Sequence, residues 1–218
     1  MLEVKKASVS LNGKQLFRDL SFTVGDGEIL CVMGPSGSGK TTLLNVLLGF
    51  RPLDGGHVSV DGELLTPSSA EEFRKAMAYV PQEAALPVEL VSEMAGLLFG
   101  LKINRIVKFS KERLMEEWRR LGLDAGLYDR RVAELSGGEW RRVMLSVAGL
   151  LARPILLADE PTSMLDAEAT ALTGEYLRRM ASAGCAIVVA THDERLAAYC
   201  DRRIVITDGM CDDMTEEG

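Results

Sequence analysis

Cysteine is scarce in this chain and patternless: Cys31, Cys185, Cys200 and Cys211 include no C-x-x-C pair. That argues against a zinc or disulfide framework and for small core-filling side chains in a reducing compartment. A basic excess is also missing. The formal net charge of −7 argues against a protein that follows nucleic acid with a broad basic face, and no nucleic-acid partner is expected. Long apolar runs are absent too: the best candidate, around Ala95 to Leu101, holds two glycines and stops at Lys102, well short of a bilayer span. The first residues, Met1-Leu2-Glu3-Val4-Lys5-Lys6, lack the apolar core of a signal peptide. The chain is expected to be soluble by itself, with any membrane role arriving through a partner.

What is present is ordinary globular material. The 218 residues, 47% hydrophobic and 26% charged, fit one large or two small domains with a substantial core. One stretch stands apart: Gly34, Pro35, Ser36, Gly37, Ser38, Gly39, Lys40 and Thr41, followed by Thr42. It matches G-x-x-x-x-G-K-[ST], in which glycines let backbone N–H groups close around phosphate, the lysine reaches the terminal phosphates and the last hydroxyl suits Mg²⁺. A chance match in a chain this long is on the order of one in a hundred from glycine frequency. Its flanks agree: Glu28 to Met33 reads as a buried strand entering the loop, and Thr42 to Leu48 as a helix leaving it, with Gly49 and Pro52 ending that helix. A helix N-terminus is thereby aimed at an anion.

Along the chain, Val4 to Val24 alternates and breaks at Asn12-Gly13, a hairpin signal. His57 to Val60 and the turn at Asp61-Gly62 complete a small antiparallel sheet, and His57 is read as solvated. Met77 to Val80 is a short strand ended by Pro81 and followed by Gln82. From Glu83 to Glu134 strand signals vanish; Leu114, Trp118 and Leu121 share one helix stripe, so Trp118 reads as core. Leu135-Ser136-Gly137-Gly138-Glu139 then opens a helix running to about Ala152, with Ser136 and Glu139 in capping-box spacing. Ile155 to Ala158 is a strand ending in Asp159-Glu160, 167–182 a helix, 186–190 a strand ending at Thr191-His192-Asp193, and 203–207 a last strand before an acidic tail from Cys211 that reads as loose. Alternating strands and helices imply a mostly parallel sheet with ligands at the strands' carboxyl ends. There, an Asp at a strand tip can hold Mg²⁺ and the next carboxylate can polarise an attacking water.

With these motifs in this order the sequence resembles the ATP-binding-cassette (ABC) family over nearly its whole length. Leu135 to Glu139 matches the family's signature motif, Gln82 its Q-loop, Ser163-Met164-Leu165-Asp166 its D-loop and His192 its switch histidine. The resemblance implies an α/β fold: a phosphate-loop NTPase core with a mostly parallel sheet, an N-terminal antiparallel β subdomain and an inserted α-helical subdomain. It implies one ATPase domain over 1–218, with 1–82 and 135–218 forming the core and 83–134 the helical subdomain. Implied cofactors are ATP and Mg²⁺. The loop residues 34–42 and Ser136, Gly137, Gly138 and Glu139 would bind nucleotide; Thr41, Gln82 and Asp159 would serve the metal; Glu160, His192 and Gln82 would be catalytic. A second copy, or a paralogous cassette, is expected head to tail, with integral membrane permease subunits docked on the helical segment at the cytoplasmic face. A cassette working on a soluble or nucleic-acid complex is the alternative. Three positions depart from the family pattern: Leu11 where an adenine-stacking aromatic is usual, Met164 where a small residue is usual, and Trp140-Arg141 after the signature.

Overall fold

The computed structural model describes residues 1–83, 86–104, 107–207 and 209–213. The first third is mostly strand, with two helices set among them: β1 (Leu2–Leu11), β2 (Lys14–Val24), β3 (Ile29–Met33), α1 (Lys40–Leu47), β4 (Gly55–Val60), β5 (Glu63–Leu64), α2 (Ala70–Lys75) and β6 (Met77–Val80). Then come α3 (Val91–Gly100), α4 (Lys111–Arg120) and α5 (Gly137–Leu151), with short 3₁₀ turns between them. The chain closes with β7 (Ile155–Asp159), α6 (Ala167–Ser182), β8 (Ala186–Ala190), α7 (Glu194–Ala197), β9 (Arg202–Thr207) and β10 (Met210–Asp213).

Two sheets result. The smaller is antiparallel in the order β2-β1-β4-β5, and the larger runs β10-β9-β3-β8-β7-β6. Within the larger sheet β9, β3, β8, β7 and β6 are parallel, and β10 pairs antiparallel to β9 at the edge. Every residue of β3, β7 and β8 is buried, as expected of central parallel strands covered on both faces, and this is why they read as unbroken apolar runs. The α/β architecture expected from the sequence is therefore present. One expectation is corrected in part: residues 211–213 are not loose but the last three residues of β10, paired with β9 from Met210↔Thr207 to Asp213↔Ile204, and the rest of that tail, 214–218, lies outside the described residues.

Two hydrophobic clusters fill the two faces of the large sheet. One joins Leu2, Phe17, Phe22, Leu43 and Leu47 to Leu30, Leu157 and Val188. The other joins Met94, Leu114, Trp118 and Leu121 to Val143, Leu156, Tyr176 and Ile187. Helices α3 and α4 thus bury their apolar stripes in the same cluster as the sheet. Trp118, fully buried, donates its Nε1–H to Ser146 Oγ at 3.0 Å, so its polar edge is satisfied inside the core. Glu117 ties α4 to α6 by an ion pair with Arg179 and pairs with Arg120 within its own helix. Among the described residues no helix is long and apolar enough to cross a membrane.

Two glycines on helices make opposite predictions. A Cβ on Gly149 would stand 1.9 Å from the Tyr176 hydroxyl, whereas one on Gly96, exposed in α3, meets nothing within 4 Å. Gly149→Ala is expected to destabilise by about 1–3 kcal/mol through overpacking, and Gly96→Ala to stabilise by up to about 1 kcal/mol through helix propensity. Urea unfolding of the two variants beside the parent checks both signs.

Candidate functional site

The strand order places the loops after β3, β8, β7 and β6 side by side at the carboxyl end of the sheet, the crevice where open α/β sheets hold ligands. The loop after β3 is wound by glycines: Gly34, Gly37 and Gly39 have φ of 149°, 76° and 111°, values L side chains rarely adopt. At Gly34 a Cβ would also lie 2.4 Å from the carbonyl oxygen of Ile206, so the loop is pressed against β9. Helix α1 starts at Lys40 with no side-chain cap. Its first N–H groups are left pointing into the loop, which is the arrangement that receives phosphate.

A cavity of about 400 Å³ lies over this loop, lined by Pro35, Ser36, Gly37, Gly39, Lys40, Thr41, Thr42, Gln82, Asp159, Glu160 and His192, with Leu11 and Leu16 on one side. Four sequence-predicted groups from four different strand ends therefore share one cavity. Lys40 Nζ donates to Gly34 O at 2.8 Å and Pro35 O at 3.3 Å and lies 3.5 Å from Glu160 Oε1. The same Glu160 Oε1 is 2.9 Å from His192 Nδ1, and Glu160 Oε2 accepts from Thr191 Oγ1 at 3.2 Å. With a carboxylate as its partner, Nδ1 carries the proton, so the ring's Nε2 is free on a side chain that is 68% exposed. Glu160 itself has φ of 49°, held by its N–H donating to Ala190 O at 2.8 Å. A glutamate in the left-handed region costs free energy and is found where surrounding structure imposes it, often at working sites.

Asp159 differs from its neighbour. It is 1% exposed and both carboxylate oxygens lack a hydrogen-bond partner. Burial pushes its carboxyl above the ordinary value, against the pull of the nearby Thr41 hydroxyl, with Glu160 adding to the rise and Lys40 opposing it. A buried, unpartnered carboxylate beside a hydroxyl is a donor set for a hard cation. Among the described residues no group of three or more His, Cys, Asp or Glu side chains is placed to hold a metal ion by itself, so a metal here would draw most of its ligands from phosphate and water, the habit of Mg²⁺ rather than of Zn²⁺ or Ca²⁺.

The sequence reading missed the groups that brace these loops. Thr191 holds Glu160, and Thr162 Oγ1 donates to Asp193 Oδ2 at 3.1 Å, linking the segments after β7 and β8. Asp193 also caps α7 through Arg195 N. Hydroxyl and carboxylate groups crowded at two strand ends were the available signal, readable only once β7 and β8 are known to be neighbours.

Ser136, Gly137, Gly138 and Glu139 do not line the cavity. They form the start of α5, where Ser136 Oγ accepts from Glu139 N at 3.1 Å and Glu139 Oε2 accepts from Ser136 N at 2.8 Å, the expected capping box. Part of the reason for Gly138 is local: a Cβ there would lie 2.6 Å from Leu165 Cδ2. Leu11, 41% exposed, and Leu16 give the cavity an apolar wall, while Phe17 is fully buried in the core. Trp140 is half-buried and packs against the cluster that contains α4.

A family profile described as ABC transporter matches residues 17–163. The chain belongs to the ABC transporter family. It is 32% identical over 213 residues to the bacitracin export ATP-binding protein BceA of Halalkalibacterium halodurans, spanning 94% of this chain and 83% of that one. It is 33% identical to the ABC transporter ATP-binding protein YxdL of Bacillus subtilis, spanning 96% and 84%. It is 34% identical to the Fe(3+) ions import ATP-binding protein FbpC 2 of Pectobacterium atrosepticum, where it spans 96% of this chain but only 61% of the relative. A dimeric ATP-binding cassette solved in a post-hydrolysis state with ADP and Pi superposes over all of both chains with a TM-score of 0.85 at 26% identity. This ABC protein is thus an ATP-binding subunit of the ATPase type.

The state of Asp159 gives this ABC ATPase a measurable pH signature. A carboxyl raised by burial favours the protonated form in the folded protein, so its contribution is fully present below the ordinary carboxylate range and is lost as pH rises through the folded value. Asp159→Asn, which removes the buried charge, is expected to be more stable than the parent at pH 7 by about 1 kcal/mol without metal or nucleotide. The gap should close toward pH 4. Denaturant titrations at the two pH values test this, and a variant less stable than the parent at pH 7 refutes it.

Proposed function

We propose that this subunit hydrolyses Mg²⁺–ATP at a site each chain supplies only in part, and that the cycle drives membrane permease subunits. The observation that carries this reading is the separation just described. Lys40, Asp159, Glu160 and His192 share a cavity, yet the second anion-binding turn, Ser136 to Gly138, opens elsewhere on the same chain. A chain with two phosphate-seeking helix starts that do not face each other is complementary to a second copy, or a paralogous cassette, placed head to tail. The dimeric cassette to which the chain is similar over its full length supports the pairing.

Within that frame the roles follow from chemistry. The N–H groups of the loop 34–42 and the Lys40 ammonium bind the phosphates. Thr41 and Asp159, with Gln82 across the cavity, would hold Mg²⁺, which supplies charge neutralisation of the phosphates when bound. Glu160 accepts the proton of the attacking water, positioned by Lys40, Thr191 and His192. His192 Nε2, the ring nitrogen not turned to Glu160, would contact the γ-phosphate and that water. Leu11 and Leu16 give the base an apolar wall in place of an aromatic stack.

Residues 1–82 with 135–218 are read as the ATPase core and 83–134 as the helical subdomain that meets the permease, hinged at Gln82. The subunit would sit on the cytoplasmic face of the membrane, held there by its partners. Relatives named for export and for import both occur, and cargo selection belongs to the membrane subunits. Glu160→Gln is expected to keep ATP binding and lower turnover by about 10²–10⁴, the scale of a positioned general base. It should also accumulate an ATP-bound dimer visible by light scattering. Equal ATPase rates in parent and variant would remove Glu160 from this role, and membrane fractions lacking the subunit in cells that express its permease would remove the transport assignment.

A further inference from the structure

The start of α5 carries a charge that no described group neutralises. Arg141, one turn into the helix, is 4% exposed. Its Nη1 donates to Gly137 O at 2.9 Å, and its Nε is buried without a partner. Among the described residues no carboxylate lies within ion-pairing distance of it. The next residue shows the contrast: Arg142 reaches Leu121 O at 2.8 Å, Gly122 O at 3.3 Å and Gly138 O at 3.4 Å, fastening α5 to the end of α4. The acidic residue on the same turn, Glu139, is also not its counterion. That carboxyl is held below its usual range by the Ser136 backbone N–H and hydroxyl, with Arg130 and Arg142 as the cations that act on it.

A desolvated guanidinium without a counterion costs stability, and an apolar side chain of similar volume would be as stable or more so. An arginine also stays charged throughout the working pH range. The charge therefore calls for a use outside the packing of the single chain. Its location suggests one. A Cβ on Gly137 would lie 2.9 Å from Arg141 Nη1 and 3.0 Å from Met164 Sδ, so the guanidinium lies under the exposed junction of the Ser136–Gly138 turn and the 163–166 loop. Met164 at that junction is 81% exposed. Buried charge acts at longer range than exposed charge because water screens it less, and here it adds to the positive end of a fifteen-residue helix.

We infer that Arg141 is a positioning residue for the phosphate received by the α5 turn. It fixes the Gly137 carbonyl and supplies the positive potential that sets how tightly Ser136 to Gly138 of one copy close on ATP held by the other. The need is local, since Glu139 places a negative charge on the same turn that works against an incoming phosphate. This inference rests on the head-to-tail pairing proposed above.

The test uses Glu160→Gln protein, titrated with Mg²⁺–ATP and followed by sedimentation velocity, with Arg141→Met, Arg141→Gln or Arg141→Lys added. Arg141→Met and Arg141→Gln are expected to need about tenfold more ATP to form dimer, the loss of one charge-assisted contact. Arg141→Lys, which keeps the charge but not the planar fork, should fall between them and the parent. Binding of a fluorescent ATP analogue to the single chain at dilute protein should change by less than about twofold, because the α5 start does not line that cavity. Arg141→Met should unfold at the same temperature as the parent or higher, which a merely structural arginine would not allow. Dimerisation of Arg141→Met at parental ATP concentrations overturns the inference, and so does a loss of dimer that follows a lowered unfolding temperature. Failure of the Glu160→Gln parent to dimerise at any ATP concentration overturns the pairing itself, and the role of Arg141 with it.

Discussion

The Glu160 carboxylate is the point on which the site depends. One oxygen meets both Lys40 Nζ at 3.5 Å and His192 Nδ1 at 2.9 Å, and the other is held by Thr191 Oγ1 at 3.2 Å. Through this single group the phosphate loop, the end of β7 and the end of β8 share one geometry. The left-handed backbone of Glu160 is the cost of aiming it there, and the bond from its N–H to Ala190 O offsets that cost. Any contact that pulls on one loop is felt by the other two, because they have an acceptor in common.

Everything upstream serves to bring those loop ends together. The order β3-β8-β7-β6 makes neighbours of strands far apart in sequence, and the burial of β3, β7 and β8 on both faces holds them between the two hydrophobic layers. The phosphate loop is also clamped from two sheets at once. Gly34 lies against Ile206 of β9, and Gly39 against Leu16 of β2, whose side chain would stand 3.1 Å from an added Cβ. The bridge from Phe17 to Gly209, with Arg18 N donating to Gly209 O at 3.1 Å, joins the two sheets just outside that point.

How much of this was legible in the sequence depends on whether a feature is local. The central strands were, because burial on both faces makes each a continuous apolar run, and so were the phosphate loop and the Ser136–Glu139 cap, whose chemistry is set within eight residues or fewer. Helices α2 and α7, of six and four residues, are too short to show a period. Strand β10 escaped because its acidic sequence says nothing of the β9 edge that pairs with it. The braces Thr191 to Glu160 and Thr162 to Asp193 join residues about thirty positions apart and become meaningful only when β7 lies beside β8. Gly138 belongs to the signature turn in sequence, but the Leu165 side chain packed upon it, which is part of the reason for a glycine there, shows only in the fold.

The two helix starts proposed to receive phosphate are built in opposite ways. The first turn of α1 has no side-chain cap, while that of α5 is closed by its own Ser136–Glu139 box. A bare terminus gains much by gripping an anion and gives it up reluctantly. A terminus with two of its N–H groups, those of Ser136 and Glu139, already engaged gains less and loses less. In the proposed head-to-tail pair, such an asymmetry would make the first contact a holder and the second a latch: nucleotide would stay with its own chain while the seam between chains remained easy to open.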